Sequence, residues 1–126
     1  MLAKARMRGI YDELICDDLV AAMAKWGDEL DLAISADVFV YVGNLEPAFK
    51  ACARILKPGG LLAFTVEEQD GAGFVLEGTC RYRHSRPYLE ALALAHGFTV
   101  LRSENVVPRY NFKEPVPGLL TILRRN

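Results

Sequence analysis

The run from Asp31 to Glu68, DLAISADVFVYVGNLEPAFKACARILKPGGLLAFTVEE, constrains the fold more than any other part of the chain. Leu32–Ser35 is a brief apolar strand without alternation, the pattern of a strand covered on both faces. Asn44 is placed to cap a following helix, and Pro47 falls in its first turn, where a missing N–H costs nothing. Leu45, Ala48, Phe49, Cys52, Ala53 and Leu56 recur at three- and four-residue steps and give that helix one broad apolar face. Lys57-Pro58-Gly59-Gly60 then predicts a tight reversal, with glycine free to take positive φ, before a second buried strand, Leu61–Val66. Strand, helix, strand in this order predicts one right-handed crossover unit of a parallel sheet.

The remainder fits around that unit. Residues 2–8 read as a helix with a basic last turn, stopped by Gly9. A chain that opens at the tail of a helix, with no strand before it, reads as cut. Leu14–Cys16 is expected as a short strand ending in the acidic pair Asp17 and Asp18, and Leu19–Lys25 as a short helix with Trp26 and Gly27 at its exit. Gln69–Gly78 reads as glycine-rich loop and Thr79–Arg86 as a polar stretch. Ser85 and Pro87 open a helix through Ala95, closed by Gly97. Phe98–Leu101 and Leu119–Leu123 are two further strands. Between them Pro108, Pro115 and Pro117 argue against regular structure throughout.

At 126 residues and 52% hydrophobic, residues 1–126 suit one globular α/β domain. A net charge of −1 leaves no electrostatic footprint for nucleic acid or an anionic membrane surface. Arg81, Arg83 and Arg86, and later Arg124 and Arg125, form short basic runs of the kind usually solvated. Cys16, Cys52 and Cys80 are widely spaced, without CxxC or a His/Cys cluster, so neither metal nor disulfide framework is expected. Cys16 and Cys52 sit in apolar contexts and read as buried small hydrophobes, a usage that suits a reducing cytoplasm. No apolar run approaches the length of a membrane span.

ILKPGGLLAFTVEE, with ADVFVYVGNLEPAF before it and RYRHSRPYLEALALAHGF after it, resembles the C-terminal half of a class I S-adenosylmethionine-dependent methyltransferase. The resemblance is closest to the type found in tetratricopeptide-repeat methyltransferases and their relatives. It implies a partial Rossmann-like α/β fold with helices on both faces. In the family the sheet runs 3-2-1-4-5-7-6 with strand 7 antiparallel. Leu14–Cys16 would be strand 3, Leu32–Ser35 strand 4, Leu61–Val66 strand 5, Phe98–Leu101 strand 6 and Leu119–Leu123 strand 7.

Ligands of open α/β sheets bind at the carboxyl ends of the strands, and the resemblance gives residues there their roles. Asp18 matches the acid that accepts from the adenine amino group of S-adenosylmethionine, and the Leu19 amide faces a ring nitrogen. Asp17 is the alternative, one position away, and apart from the family both acids read as loop residues or a helix N-cap. Ser35, Ala36 and Asp37 end strand 4 near the methionine portion. Asp37 would accept from the cofactor's amino group, orient substrate or cap the following turn. Tyr41 falls where relatives often carry an aromatic or His near the methyl-transfer path, with half-buried packing as its other reading. His84 is a candidate general base or a loop-packing histidine, and His96 serves a helix C-terminus. Arg81, Tyr82, Arg109 and the neighbouring Arg83 and Tyr110 lie in segments that relatives use as substrate lids, which points to a polar or acidic small-molecule substrate.

The family's glycine-rich first motif and the acid that holds the ribose have no counterpart in these 126 residues. Asp70-Gly71-Ala72-Gly73-Phe74 contains a GxG, but it follows strand 5 and opens no helix. The expectation is therefore a truncated methyltransferase domain that is inactive by itself and self-associates, as a dimer for example, through an exposed strand edge. A non-catalytic interaction module that keeps half the fold is the alternative. A nicotinamide oxidoreductase is weakest, because no strand-GxGxxG-helix is present.

Overall fold

The computed structural model describes residues 2–26 and 30–126. Its elements in chain order are helix α1 (Leu2–Arg8), helix α2 (Leu19–Met23), strand β1 (Leu30–Ser35), a 3₁₀ turn (Phe39–Tyr41), helix α3 (Glu46–Ile55) and strand β2 (Leu56–Glu68). Strands β3 (Phe74–Leu76) and β4 (Tyr82–His84), helix α4 (Arg86–Ala95) and strands β5 (Phe98–Asn111) and β6 (Glu114–Arg125) follow. β1 pairs with β2 in parallel, β2 with β6 antiparallel, and β6 with β5 antiparallel. This is the order 4-5-7-6, with the seventh strand antiparallel, that the family resemblance implied.

Alternation along β2 decides where the core forms. Leu62, Phe64 and Val66 turn to one face and meet Phe49, Cys52 and Ile55 of α3, Leu89 and Leu92 of α4, and Leu119 and Leu123 of β6. Phe64 lies 5.3 Å from Phe39 and 5.6 Å from Phe49 between ring centroids, and Phe49 lies 6.1 Å from Phe98. Met23 and Trp26 pack against the same cluster. The helices expected on both faces are, for α2, α3 and α4, on one; Ala63, Thr65, Leu120 and Ile122 on the other face are only half-buried.

Local chemistry accounts for the helix boundaries. Ser85 caps α4, its Oγ accepting from the Tyr88 N–H at 3.2 Å. Asn44 Oδ1 accepts from the Glu46 N–H at 3.1 Å, so it serves the start of α3 from just outside the helix. Gly97 takes φ 79° after α4, as its place past a helix end suggests. Gly27, expected at the exit of the second helix, lies outside the described residues.

Four expectations need correction. Leu14–Cys16 forms no strand, because none of the described strands pairs with it, and a three-residue run cannot hold a ladder alone. Cys16 is accordingly exposed rather than buried, while Cys52 is buried as expected. The Lys57–Gly60 reversal lies inside β2 as a bulge: Leu30 pairs with Leu56, and the next partners are Leu32 and Leu61. A Cβ on Gly60 would stand 2.9 Å from the Lys57 carbonyl oxygen. Finally, Arg102–Gly118 is regular. β5 and β6 form one long hairpin through Phe112 and Lys113, both at positive φ. Its prolines are tolerated because Pro108 sits in a bulge of the edge strand, and Pro115 and Pro117 lie beyond the last β2–β6 pair, Glu67 with Gly118.

The stretch read as loop and polar coil holds the hairpin β3–β4. β1 ends its pairing at Ser35 with Phe64, and β4 then pairs with β2 at Glu67 and Glu68, along the edge β1 has left. The hairpin thereby stands over the carboxyl end of β1. Gly43 makes room for it, since a Cβ there would be 2.5 Å from Tyr82 Cε1 and 2.8 Å from Phe74 Cε2.

Candidate functional site

Two features meet at the carboxyl ends of β1 and β2. One is a cavity of about 590 Å³ lined by Leu19 and Met23 of α2, Ala33–Ala36 and Val38, and Cys52 and Leu62 beneath. Its size is that of a small-molecule site, roughly 300–1,000 Å³. The wall is mainly apolar. Ser35 Oγ is buried there and has no hydrogen-bond partner among the described residues. An orphaned hydroxyl in an otherwise apolar wall leaves a polar ligand group something to bond.

The other feature is a network of charges. Glu67, 1% exposed at the end of β2, accepts from Arg81 Nε at 2.5 Å and from Arg109 Nε at 3.1 Å through Oε2, and its Oε1 accepts from Arg109 Nη2 at 3.4 Å. Arg81 also donates from Nη1 to the Tyr41 hydroxyl at 2.7 Å and from Nη2 to Asp37 Oδ1. Its Cζ stands 5.0 Å from the centroid of the Tyr41 ring. One guanidinium in the β3–β4 connection therefore ties together the end of β1, the 3₁₀ turn and β2, and Glu67 adds β5. Burial raises the Glu67 carboxyl, but the hydrogen bonds and charges of Arg109 and Arg81 outweigh it and hold the group below its ordinary 4.5. Burial works against the charge on Arg81, yet Glu67 and Asp37 keep it above its ordinary value.

The sequence-chosen residues divide between these features. Leu19, Ser35 and Ala36 line the cavity together. Tyr41, Arg81, Arg109 and Asp37 come together in the charge network. Asp18 does not line the cavity: its Oδ2 accepts from the Ala21 N–H at 3.1 Å and caps α2, while Asp17 accepts from the Asp18 N–H and from Lys25. Tyr82 packs edge-on against Phe74, with centroids 5.9 Å apart, and takes no part in the network.

His84 is a packing residue rather than an available base. It is fully buried, its Nε2 lies 2.8 Å from the Val42 carbonyl and 3.1 Å from that of Gly43, and its ring stacks on Tyr88. Two carbonyl partners require the proton on Nε2, and burial pushes the pKa below its ordinary 6.5 despite those bonds. Glu67 was not singled out from sequence. Its signal was an acid directly after the apolar run of a central strand, at the end where ligands of such sheets bind.

Among the described residues no cluster of His, Cys, Asp and Glu could hold a metal ion. No described helix is long and apolar enough to cross a membrane.

Comparison with known proteins returns a family and a fold. The family model described as a methyltransferase domain matches residues 1–64. No curated protein matches the chain. Among solved structures, the 1,6-didemethyltoxoflavin N1-methyltransferase of Burkholderia thailandensis, with 1,6-didemethyltoxoflavin and S-adenosylhomocysteine bound, is 20% identical, with a TM-score of 0.64 over 79% of this chain and 45% of that one. An S-adenosylmethionine-dependent methyltransferase of Mesorhizobium loti is 20% identical, with a TM-score of 0.66 over 99% of this chain and 76% of its own. The 4+2 cyclase SpnF is 18% identical, with a TM-score of 0.74 over 98% of this chain. The chain spans 45% of the length of the first of these structures and 60% of the cyclase. At these identities the structures establish the fold, and the family match covers half of the sequence. The chain belongs to the methyltransferase-domain family.

Proposed function

We propose that these residues form the adenine side and the acceptor side of an S-adenosylmethionine-dependent methyltransferase acting on a small molecule. S-adenosylmethionine is the cofactor of the family, and it supplies an electrophilic methyl group on a sulfonium. The observation that carries the reading is the cavity at the carboxyl end of β1, with the unpartnered Ser35 hydroxyl in its wall. Leu19, Ser35 and Ala36 are the residues that would hold the cofactor there, and the free oxygen of Asp18 is available at the start of α2. The Tyr41, Asp37 and Arg81 cluster adjoins the wall through Asp37 and would orient the acceptor. Such a site works chiefly by alignment and exclusion of water.

The 126 residues hold neither the family's glycine-rich first motif nor its ribose-binding acid. Micromolar affinity corresponds to about −8 kcal/mol. Lacking about three charge-assisted hydrogen bonds, at about 1.5–3 kcal/mol each, removes most of it. The chain by itself therefore binds S-adenosylmethionine no better than millimolar and does not turn over. Calorimetric titration tests this, and a micromolar one-to-one site would refute it.

The outer edge of β1 carries no strand among the described residues, and Leu32 and Ile34 beside it are 49% and 71% exposed. An open edge with apolar side chains favours pairing, so the chain self-associates along β1. The three free thiols suit a reducing, cytoplasmic setting. An interaction module that keeps the half-fold without catalysis is the second reading, favoured by the engagement of Asp18 as a helix cap.

A further inference from the structure

Asp37 and Tyr41 are the two exposed members of the charge network, and each has one hydrogen-bonding function left over. The Asp37 side chain is 63% exposed; Oδ1 is bound by Arg81, and Oδ2 has no partner among the described residues. Tyr41, 59% exposed, accepts from Arg81 Nη1 through its oxygen, and its own proton finds no acceptor among the described residues. A hydroxyl that accepts from a cation and carries its proton free is a polarised donor. Because the guanidinium is a rigid planar fork, bonds to its two terminal nitrogens set the phenol and the carboxylate next to each other.

Charge excludes an anion as the natural occupant. Arg81 spends Nε, Nη1 and Nη2 on Glu67, Tyr41 and Asp37, and Arg109 spends Nε and Nη2 on Glu67. Two cations face two carboxylates, which leaves no cation free for a substrate acid and so sets aside the acidic substrate that the arginines suggested. Asp37 is held in place at a backbone cost. Its φ is 55°, in the left-handed region, and its N–H donates to Thr65 Oγ1 at 3.3 Å. Strain of this kind persists where the surroundings impose it and clusters at functional positions.

Resting on the methyltransferase reading above, we propose that Tyr41 and Asp37 form the recognition edge for a neutral acceptor with N–H and C=O side by side, a cyclic amide. The Tyr41 hydroxyl donates to the carbonyl, and Asp37 Oδ2 accepts from the N–H. Arg81 is the positioning residue that holds both.

Amide chemical-shift titration of the full chain with 2-pyridone, 1-methyl-2-pyridone and benzoate tests this. 2-Pyridone is expected to shift the amides of Asp37, Tyr41 and Arg81, and to bind at least about fivefold more tightly than its N-methyl analogue, which lacks the donor. Asp37→Asn is expected to erase that preference, and Tyr41→Phe to weaken both pyridones alike, while the rest of the spectrum stays folded at these exposed side chains. Benzoate is expected to leave the patch unshifted. Equal binding of the two pyridones, a preference for benzoate, no binding by any probe, a preference surviving Asp37→Asn, or unchanged binding of both pyridones in Tyr41→Phe would overturn the inference. Saturable cofactor shifts that bypass Ser35 and Ala36 would instead overturn the methyltransferase reading and leave the pyridone result standing.

Discussion

Arg81 Nε lies 2.5 Å from Glu67 Oε2, and through this pair the β3–β4 hairpin is fastened to the central strand of the sheet. Glu67 is 1% exposed and the Arg81 side chain 12%, so the pair is largely shielded from water. The same carboxylate holds Arg109. Three elements far apart in sequence thus depend on one buried acid.

Replacement of Glu67 by Gln leaves two cations over an uncharged amide. Removing one partner of a buried pair costs about 3 kcal/mol or more, and the urea midpoint of Glu67→Gln is expected to fall accordingly. Glu104→Gln, which breaks the exposed Arg102 pair, is expected to change stability by less than about 0.5 kcal/mol. Equal effects from the two substitutions would remove Glu67 from its central place.

Acid is expected to unfold the protein in two stages. His84 has a depressed pKa in the fold, so its contribution is complete above about pH 6.5 and is lost as pH falls through the lowered value. Glu67 is also depressed, so its contribution is complete above its ordinary 4.5 and is lost further into acid. Thermal melts between pH 7.5 and 5.5 are expected to show a falling Tm for the native sequence and a flat one for His84→Gln. A native Tm independent of pH over that range would contradict the burial argument.

Much of this fold was legible because the crossover unit carries its own grammar. The apolar spacing of α3, the Ser85 cap and the glycines at helix ends are local signals, and the structure follows them. The site was half legible. The family resemblance singled out Asp37, Tyr41, Arg81 and Arg109, which the structure brings together, but Glu67 was hidden as the tail of an apolar strand. What sequence could not show was pairing at a distance. Proline reads as a breaker locally, yet Pro108, Pro115 and Pro117 sit where no ladder bond is required of them. Leu14–Cys16 reads as a strand locally but finds no strand to pair with among the described residues.

A methyl group at position 43 should loosen the β3–β4 hairpin. Gly43→Ala puts a carbon within 3 Å of both the Tyr82 and Phe74 rings, an overpacking worth about 1–3 kcal/mol. Hydrogen exchange is expected to quicken at Phe74–Leu76 and Tyr82–His84 and to stay unchanged in β5. Unchanged protection in the hairpin would show that its aromatic packing does not hold it down.

The open edge of β1 predicts association in solution. Sedimentation at micromolar concentration is expected to show species larger than a monomer, and Ile34→Lys, which charges that edge, is expected to shift them to monomer. A clean monomer for the native sequence would contradict the proposal.

The cavity at the carboxyl end of β1 is the proposed cofactor site of this methyltransferase domain. Titration of the isotopically labelled chain with S-adenosylhomocysteine, read as amide chemical shifts, tests it most directly. The predicted result is weak, saturable binding with shifts centred on Leu19, Ser35 and Ala36 and diminished in Ser35→Val. Saturable shifts centred elsewhere, or a micromolar dissociation constant, would contradict it.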